Sequence, residues 1–336
     1  MTGTTTLTLA KAINIGLRRA LEADAKVLVM GEDVGRLGGV FRVTDGLQKD
    51  FGDYRVIDTP LAESGIIGTA IGLALRGYRP VCEIQFDGFI YPGFDQLVSQ
   101  LAKLHYRSGG RLRLPVVVRV PFGGGIGAVE HHSESPEAYF AHTAGLRVVA
   151  CSNPADAGTM IQQAVRGDEP VMIFEPKRRY WDKGEVPDDV VDGTAIAAGR
   201  VPPLYAARVV RAGTDVTIAA YGPTVATALA AADAAVGEGR SLEVVDLRTL
   251  SPLDLDTLTQ SVRRTGRLVV VHEASTFLGL SAEVAAAVTE RCFHHLEAPV
   301  LRVGGFHTPY PPARLEDDYL PDLDRVLDAV DRSCAY

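Results

Sequence analysis

Apolar runs of strand length alternate along this chain with helix-length amphipathic segments. Ala10–Glu22 reads as a helix and Lys26–Met30 as a buried strand. Glu63–Arg76 reads as a helix, with Ile66, Ile67, Ala70, Ile71 and Ala74 at helical spacing. Pro80–Ile84 is strand-like. Pro92–Tyr106 follows as a helix, stopped by Ser108-Gly-Gly110. Leu114–Val120 is a strand that runs into a glycine-rich loop, Phe122–Gly127. Leu146–Ala150 is a strand, Pro154–Arg166 a helix with proline at its start, and Val171–Phe174 a closing strand.

The alternation then restarts. Asp215–Ala220, Leu242–Asp246, Arg267–Val271 and Val300–Val303 read as strands. Pro223–Val236, Leu253–Arg264, Ser281–Cys292 and Asp322–Ala335 read as the helices between and after them. Repeated β-α units imply parallel sheets covered on both faces. Between the two series lies a stretch of acids, glycines and prolines without clean periodicity. The fold class expected is α/β, with two doubly wound parallel-sheet domains: residues 1–181, a linker at 182–203, and residues 204–336.

Composition narrows the function. With 336 residues, two domains are the natural division. A net charge of -8 argues against nucleic-acid binding, which needs clustered positive charge. The four cysteines form no CxxC pair, and Cys82 and Cys151 lie in apolar runs, as in a reducing cytoplasm. No apolar run reaches the roughly 18 residues of a membrane span. The first residues carry neither a signal-peptide nor a transit-peptide pattern, so a cytoplasmic location is expected.

Four places can hold chemistry. Glu63 is the only charge in the apolar stretch from Thr59 to Leu75. A carboxylate buried there needs a partner for its charge or its proton. The plainer alternative is a first-turn glutamate at a helix N-terminus. The second place is Glu130–His142, which carries His131, His132 and His142 of the chain's eight histidines. It opens a short helix near Ser135-Pro136, with Ser133 and Ser135 as capping candidates. The spacing matches no zinc signature. A catalytic imidazole and a polar loop bonded to its own backbone both remain open. The third is the glycine loop, which fits neither a dinucleotide fingerprint nor a P-loop. No G-x-S-x-G elbow is present either. The last is the aromatic run Glu83–Phe94, where Phe86 and Phe89 would face a flat ring beyond a strand end, or would simply pack in the core.

Together these segments resemble a known family. They are Gly31-Glu-Asp-Val-Gly35, Gly38-Gly-Val-Phe41, Arg55-Val-Ile-Asp-Thr-Pro60 with Glu63, Glu83-Ile-Gln-Phe86, Asp95-Gln96 and Tyr106-Arg-Ser-Gly-Gly110. They continue with His132-Ser-x-Ser-Pro-Glu-Ala138, Ala144-Gly-Leu-Arg-Val148, Phe174-Glu-Pro-Lys177, Val245-Asp-Leu-Arg-Thr249, Gly266-Arg-Leu268 and His272-Glu-Ala274. The chain resembles, over nearly its whole length, the β subunit of the thiamine-diphosphate-dependent decarboxylating component of 2-oxo acid dehydrogenase complexes. That subunit is transketolase-like, with a pyrimidine-binding domain followed by a transketolase C-terminal-like domain. Ser135-Pro-Glu-Ala138, Tyr106-Arg-Ser-Gly109 and Leu296-Glu-Ala-Pro299 resemble the branched-chain type most.

The resemblance implies roles. Glu63 would hydrogen-bond the aminopyrimidine ring nitrogen of thiamine diphosphate and hold the proton that activates the thiazolium carbon. His132 would face the substrate carboxylate, ahead of its neighbour His131. Phe86 and Phe89 would line the aminopyrimidine. Phe89 stands where relatives often have tyrosine, so the packing is kept and a hydroxyl is lost. Glu134 stands where glutamine is common, and a carboxylate there would raise the pKa of His132 or repel an anionic substrate. Structural potassium would be held by the backbone carbonyls of Leu114, Val116, Val117, Ala164, Gly167 and Glu169.

The family's Gly-Asp-Gly magnesium motif with a downstream asparagine is absent. The resemblance assigns magnesium and the diphosphate to a separate α subunit. An α2β2 heterotetramer is therefore expected, docked on a lipoyl acyltransferase core and inactive without α. Glu316-Asp-Asp318 and the acids from Asp322 to Asp331 would suit a basic partner, or form a solvated helix face. The activity implied is oxidative decarboxylation of branched-chain 2-oxo acids with acyl transfer to lipoate. Pyruvate or acetoin is the alternative substrate. A non-catalytic assembly or regulatory paralogue is the alternative of another class.

Overall fold

The computed structural model describes residues 3–336. In chain order the strands are β1 (Thr4–Thr8), β2 (Val27–Gly31), β3 (Val56–Asp58), β4 (Arg79–Glu83), β5 (Val117–Phe122), β6 (Arg147–Ala150) and β7 (Val171–Pro176). There follow β8 (Lys183–Pro187), β9 (Arg208–Arg211), β10 (Val216–Ala220), β11 (Leu242–Asp246), β12 (Thr249–Ser251), β13 (Leu268–Ser275) and β14 (Leu301–Gly305). One sheet has seven strands in the order β12-β6-β7-β5-β4-β2-β3, and a second has five in the order β14-β13-β10-β11-β9. Both are parallel except at one edge: β12 runs antiparallel to β6, and β9 antiparallel to β11.

Strand residues alternate between two cores. Val29, Val81, Val117, Val149 and Ile173 pack under the Leu9–Ala23 and Pro154–Arg166 helices. Met30, Cys82, Val118, Val148 and Met172 face the opposite way, onto the Glu63–Leu75 helix and the second sheet. That second core continues through Tyr221, Val245, Leu258, Val270 and Val284, so the two halves share apolar packing. Strands buried on both faces read as continuous apolar runs, which is why they were legible. Each fully buried Val, Leu or Ile contributes about 1.5–3 kcal/mol.

The helix starts follow local chemistry. Thr8 accepts from the Lys11 amide, and Asn153 caps a helix with proline in its first turn. Asp254 and Asp322 likewise cap Leu255–Thr265 and Leu323–Cys334. Three stretches differ from expectation. Pro92–Tyr106 is not one helix: a tight turn of helix at Asp87–Gly93 is followed by a wide π-type turn at Gln96–Leu101, then an α-helix at Ala102–Arg107. Residues 182–203 are no bare linker. They form β8 against β1, then the helices Asp188–Val191 and Thr194–Ala197, with Val186, Val190 and Ala195 buried together. Finally, β12 crosses from the second half of the chain to complete the first sheet.

Candidate active site

Glu63 is the first residue of its helix and is buried, only 7% exposed. No side chain caps that helix start. Its backbone carbonyl would meet a Cβ at Gly93 at 3.3 Å, so the Asp87–Gly93 turn packs directly on it. Glu32, just beyond β2, is equally buried. Burial first, then repulsion from Glu63 and Asp33, raises the Glu32 pKa above the usual carboxylate range. Two buried carboxylates thus lie close together, and neither enters a salt bridge among the described residues.

The same Asp87–Gly93 turn carries the aromatic wall. Phe86 and Phe89 both meet the His132 ring edge to face, with centroids 4.2 and 5.2 Å away. Phe41 extends the wall, 5.4 Å from Phe86. Only glycine fits at position 88, since a Cβ there would lie 2.5 Å from the His131 carbonyl oxygen. Burial lowers the His132 pKa, and the nearby Lys177 and His131 charges add to it. His131 points away: its side chain is 62% exposed and pairs with Glu130 at 3.3 Å.

Below the histidine lies a buried ion pair. Lys177, following β7, meets Asp87, and both side chains are fully buried. The other Asp87 oxygen accepts the Glu134 amide at 2.7 Å. Burial pushes the Asp87 pKa up to about 7, against the pull of Lys177, and pushes that of Lys177 down. Deeper still, Arg119 donates to Glu83 at 2.5 Å and to both oxygens of Glu175 at 2.7 and 2.8 Å. This pins β4, β5 and β7 together at the strand ends that carry the site.

The glycine loop is anchored from the second half of the chain. Glu273, in β13, accepts the Gly124 amide at 2.9 Å. Glu316 accepts the Gly125 and Gly127 amides at 2.8 and 2.9 Å. Asp87, Lys177, Glu273 and Glu316 were missed as site residues. The signal for two of them was present, since Phe174-Glu-Pro-Lys177 and His272-Glu-Ala274 carry the family resemblance.

Several expectations are corrected. Glu134 turns its carboxylate to the Tyr91 hydroxyl at 3.0 Å, and the His132 pKa is lowered rather than raised. Ser133 caps no helix: its hydroxyl is buried without a partner, and Glu137–Ala141 starts without a side-chain cap. Glu316 is no part of a solvated acidic face, being 6% exposed and turned inward. No group of three His, Cys, Asp or Glu side chains able to hold a metal occurs among the described residues. No helix there is long and apolar enough to cross a membrane.

Of the oxygens assigned to potassium, that of Val116 accepts the Val171 amide at 3.0 Å. Leu114 accepts from Val116 at 2.8 Å, Ala164 from Gly167 at 3.1 Å, and Gly167 from Arg79 at 2.7 Å. The Gly167 oxygen thus already faces the Arg79 guanidinium, a positive charge that would repel a second cation there. Val117 lies within β5, and the Glu169 carboxylate holds Arg147 at 2.8 and 2.9 Å. A buried carboxylate at Glu63, whose backbone packs on the turn that carries Phe89, suits a flat nitrogen heterocycle that donates or shares a proton.

Residues 5–182 match the family model for the transketolase pyrimidine-binding domain, and residues 205–326 that for the transketolase C-terminal domain. A pyruvate dehydrogenase E1 component subunit beta from Leifsonia xyli is 61% identical, covering 98% of this chain and 95% of that protein. A 3-methyl-2-oxobutanoate dehydrogenase subunit beta from Mycobacterium tuberculosis is 55% identical, covering 98% and 92%. Among solved structures, a split-gene transketolase described as an inactive beta4 tetramer aligns with a TM-score of 0.75 at 23% identity, covering 98% of both chains. That last likeness concerns the fold alone.

Proposed function

The chain belongs to the transketolase-like family, a pyrimidine-binding domain followed by a C-terminal domain, and from that premise we propose that it is the β subunit of a thiamine-diphosphate-dependent 2-oxo acid dehydrogenase. The observation that carries this reading is one short turn, Asp87–Gly93. It packs on the backbone of Glu63 at one end and on the His131–His132 loop at the other. The turn thereby links the backbone that carries a buried carboxylate to an imidazole held on an aromatic wall.

Thiamine diphosphate, when bound, supplies a nucleophilic carbon that adds to a 2-oxo group. Glu63 would hold and return a proton at the aminopyrimidine ring nitrogen, in a site dry enough to strengthen that bond. Phe86 and Phe89 would orient the ring and exclude water. His132, its pKa lowered by burial and Lys177, stays neutral near pH 7 and can donate or accept a proton at the substrate. Magnesium and the diphosphate fall to an α subunit in an α2β2 assembly, and the acyl group passes to a lipoyl acyltransferase. Structural potassium, if the chain follows its family, would take backbone carbonyls of 114–117 and 164–169. A reducing cytoplasm suits the free cysteines.

The substrate class we favour is branched-chain 2-oxo acids, supported by the Mycobacterium relative. The Leifsonia relative favours pyruvate as the second reading. Co-expression with an α subunit decides it. Decarboxylation of 2-oxoisovalerate and pyruvate would be followed with thiamine diphosphate, magnesium and an artificial electron acceptor. Turnover that needs both chains and prefers 2-oxoisovalerate is expected. A preference for pyruvate keeps the chemistry and changes the substrate. No turnover from a stable α/β complex favours the non-catalytic paralogue.

A further inference from the structure

We infer that the second half of the chain sets the position of His132 through two carboxylates, Glu316 and Glu273, which clamp the glycine loop leading to it. This rests on His132 acting at the substrate, as proposed above.

The clamp is specific. One Glu316 carboxylate bridges two amides of the loop, Gly125 and Gly127, and its Oε1 also accepts the Tyr310 hydroxyl at 2.7 Å. Burial alone would raise the Glu316 pKa, yet the Tyr310 and amide bonds bring it below the usual range, so the group stays ionised. Glu273 takes the next amide, Gly124, and is itself held by Arg178 at 2.5 Å. A Cβ at position 124 would lie 1.8 Å from the Tyr310 hydroxyl oxygen, so only glycine admits this approach. Charged acceptors make hydrogen bonds roughly twice as strong as neutral ones.

The far side of the histidine is anchored too. The Gly123 amide bonds the Glu134 carbonyl at 3.0 Å, and the Glu134 amide bonds Asp87. His132 therefore sits on a span of chain tied down at Gly127 and at Glu134. Release of the Gly127 end frees the span on one side, and a misplacement of about 1 Å can cost about 10²-fold in rate.

The test uses the full chain, with Glu316→Gln and Glu273→Gln as separate variants and Glu290→Gln as the exposed control. Amide hydrogen exchange of 123–127 and the His132 imidazole NMR signal, assigned by its loss in His132→Gln, are read without a reaction. Each clamp variant is expected to speed loop exchange at least about tenfold and shift the His132 signal, with melting held within a few degrees. In the α/β complex, kcat/KM should fall by about ten- to a hundred-fold. The control should change none of these. Unchanged exchange overturns the inference. So does faster exchange with an unmoved His132 signal, which would limit both carboxylates to joining the two halves. An inert wild-type complex would count against the proposed reaction, and exchange with NMR would still decide the clamp.

Discussion

The rings of Phe86 and His132 meet edge to face, centroids 4.2 Å apart and planes at 67°. This contact separates His132 from its neighbour in sequence. His132 is held against the aromatic wall, while His131 lies in solvent beside Glu130. In the α/β complex, His132→Ala is expected to lower turnover by about 10²-fold or more, and His131→Ala by no more than a few-fold. Steady-state kinetics on both variants checks this, and equal losses would mean that the pair is misassigned.

Glu63→Gln keeps the size of the side chain and removes the proton site. Turnover is expected to drop by about 10²–10⁴-fold, the usual range for a positioned acid or base. Thermal melting should barely change, because the Glu63 carboxylate forms no salt bridge among the described residues. Near-normal decarboxylation by this variant would sink the assignment.

Asp87 and Lys177 are both fully buried. Asp87→Ala leaves a buried ammonium without its partner and the Glu134 amide without its acceptor. A loss of about 3–5 kcal/mol is expected, read from chemical denaturation. A loss below about 1 kcal/mol would show that solvent reaches Lys177 freely.

Glu137 is fully buried and accepts the Tyr221 hydroxyl at 2.5 Å, across the two halves of the chain. Burial, chiefly, pushes its pKa up to about 8 from 4.5. The folded state thus binds this proton more tightly than the unfolded state. The stabilisation is complete below pH 4.5 and is lost as pH rises through about 8. His272 works the other way. Burial lowers its pKa to about 4 from 6.5, so its contribution is lost as pH falls through that window. The difference in stability between wild type and Glu137→Gln isolates the first effect. Wild type is expected to lose stability relative to the variant as pH rises from about 5 to about 8, and a flat difference would contradict this.

Much of this was legible in the chain itself. Strands buried on both faces read as apolar runs, and capped helices announce their starts, as at Asn153-Pro154. The solitary charge of Glu63 and the crowded histidines near residue 131 stood out because apolar surroundings make polar groups costly. The rest depended on contacts distant in sequence. Residue chemistry alone does not separate His131 from His132, which only the resemblance ranked; the contacts of His132 with Phe86 and Phe89 are seen only in the fold. Glu316 reads as one acid in an acidic run, yet it folds inward onto the amides of Gly125 and Gly127, 191 and 189 positions away in the chain. The β1–β8 pair and the crossing of β12 likewise join segments with no mutual signal. Periodicity and single-residue chemistry are local, and so the sequence by itself determined the elements and the candidates. Which carboxylate meets which amide is settled by packing between elements, and only the tertiary structure decided it.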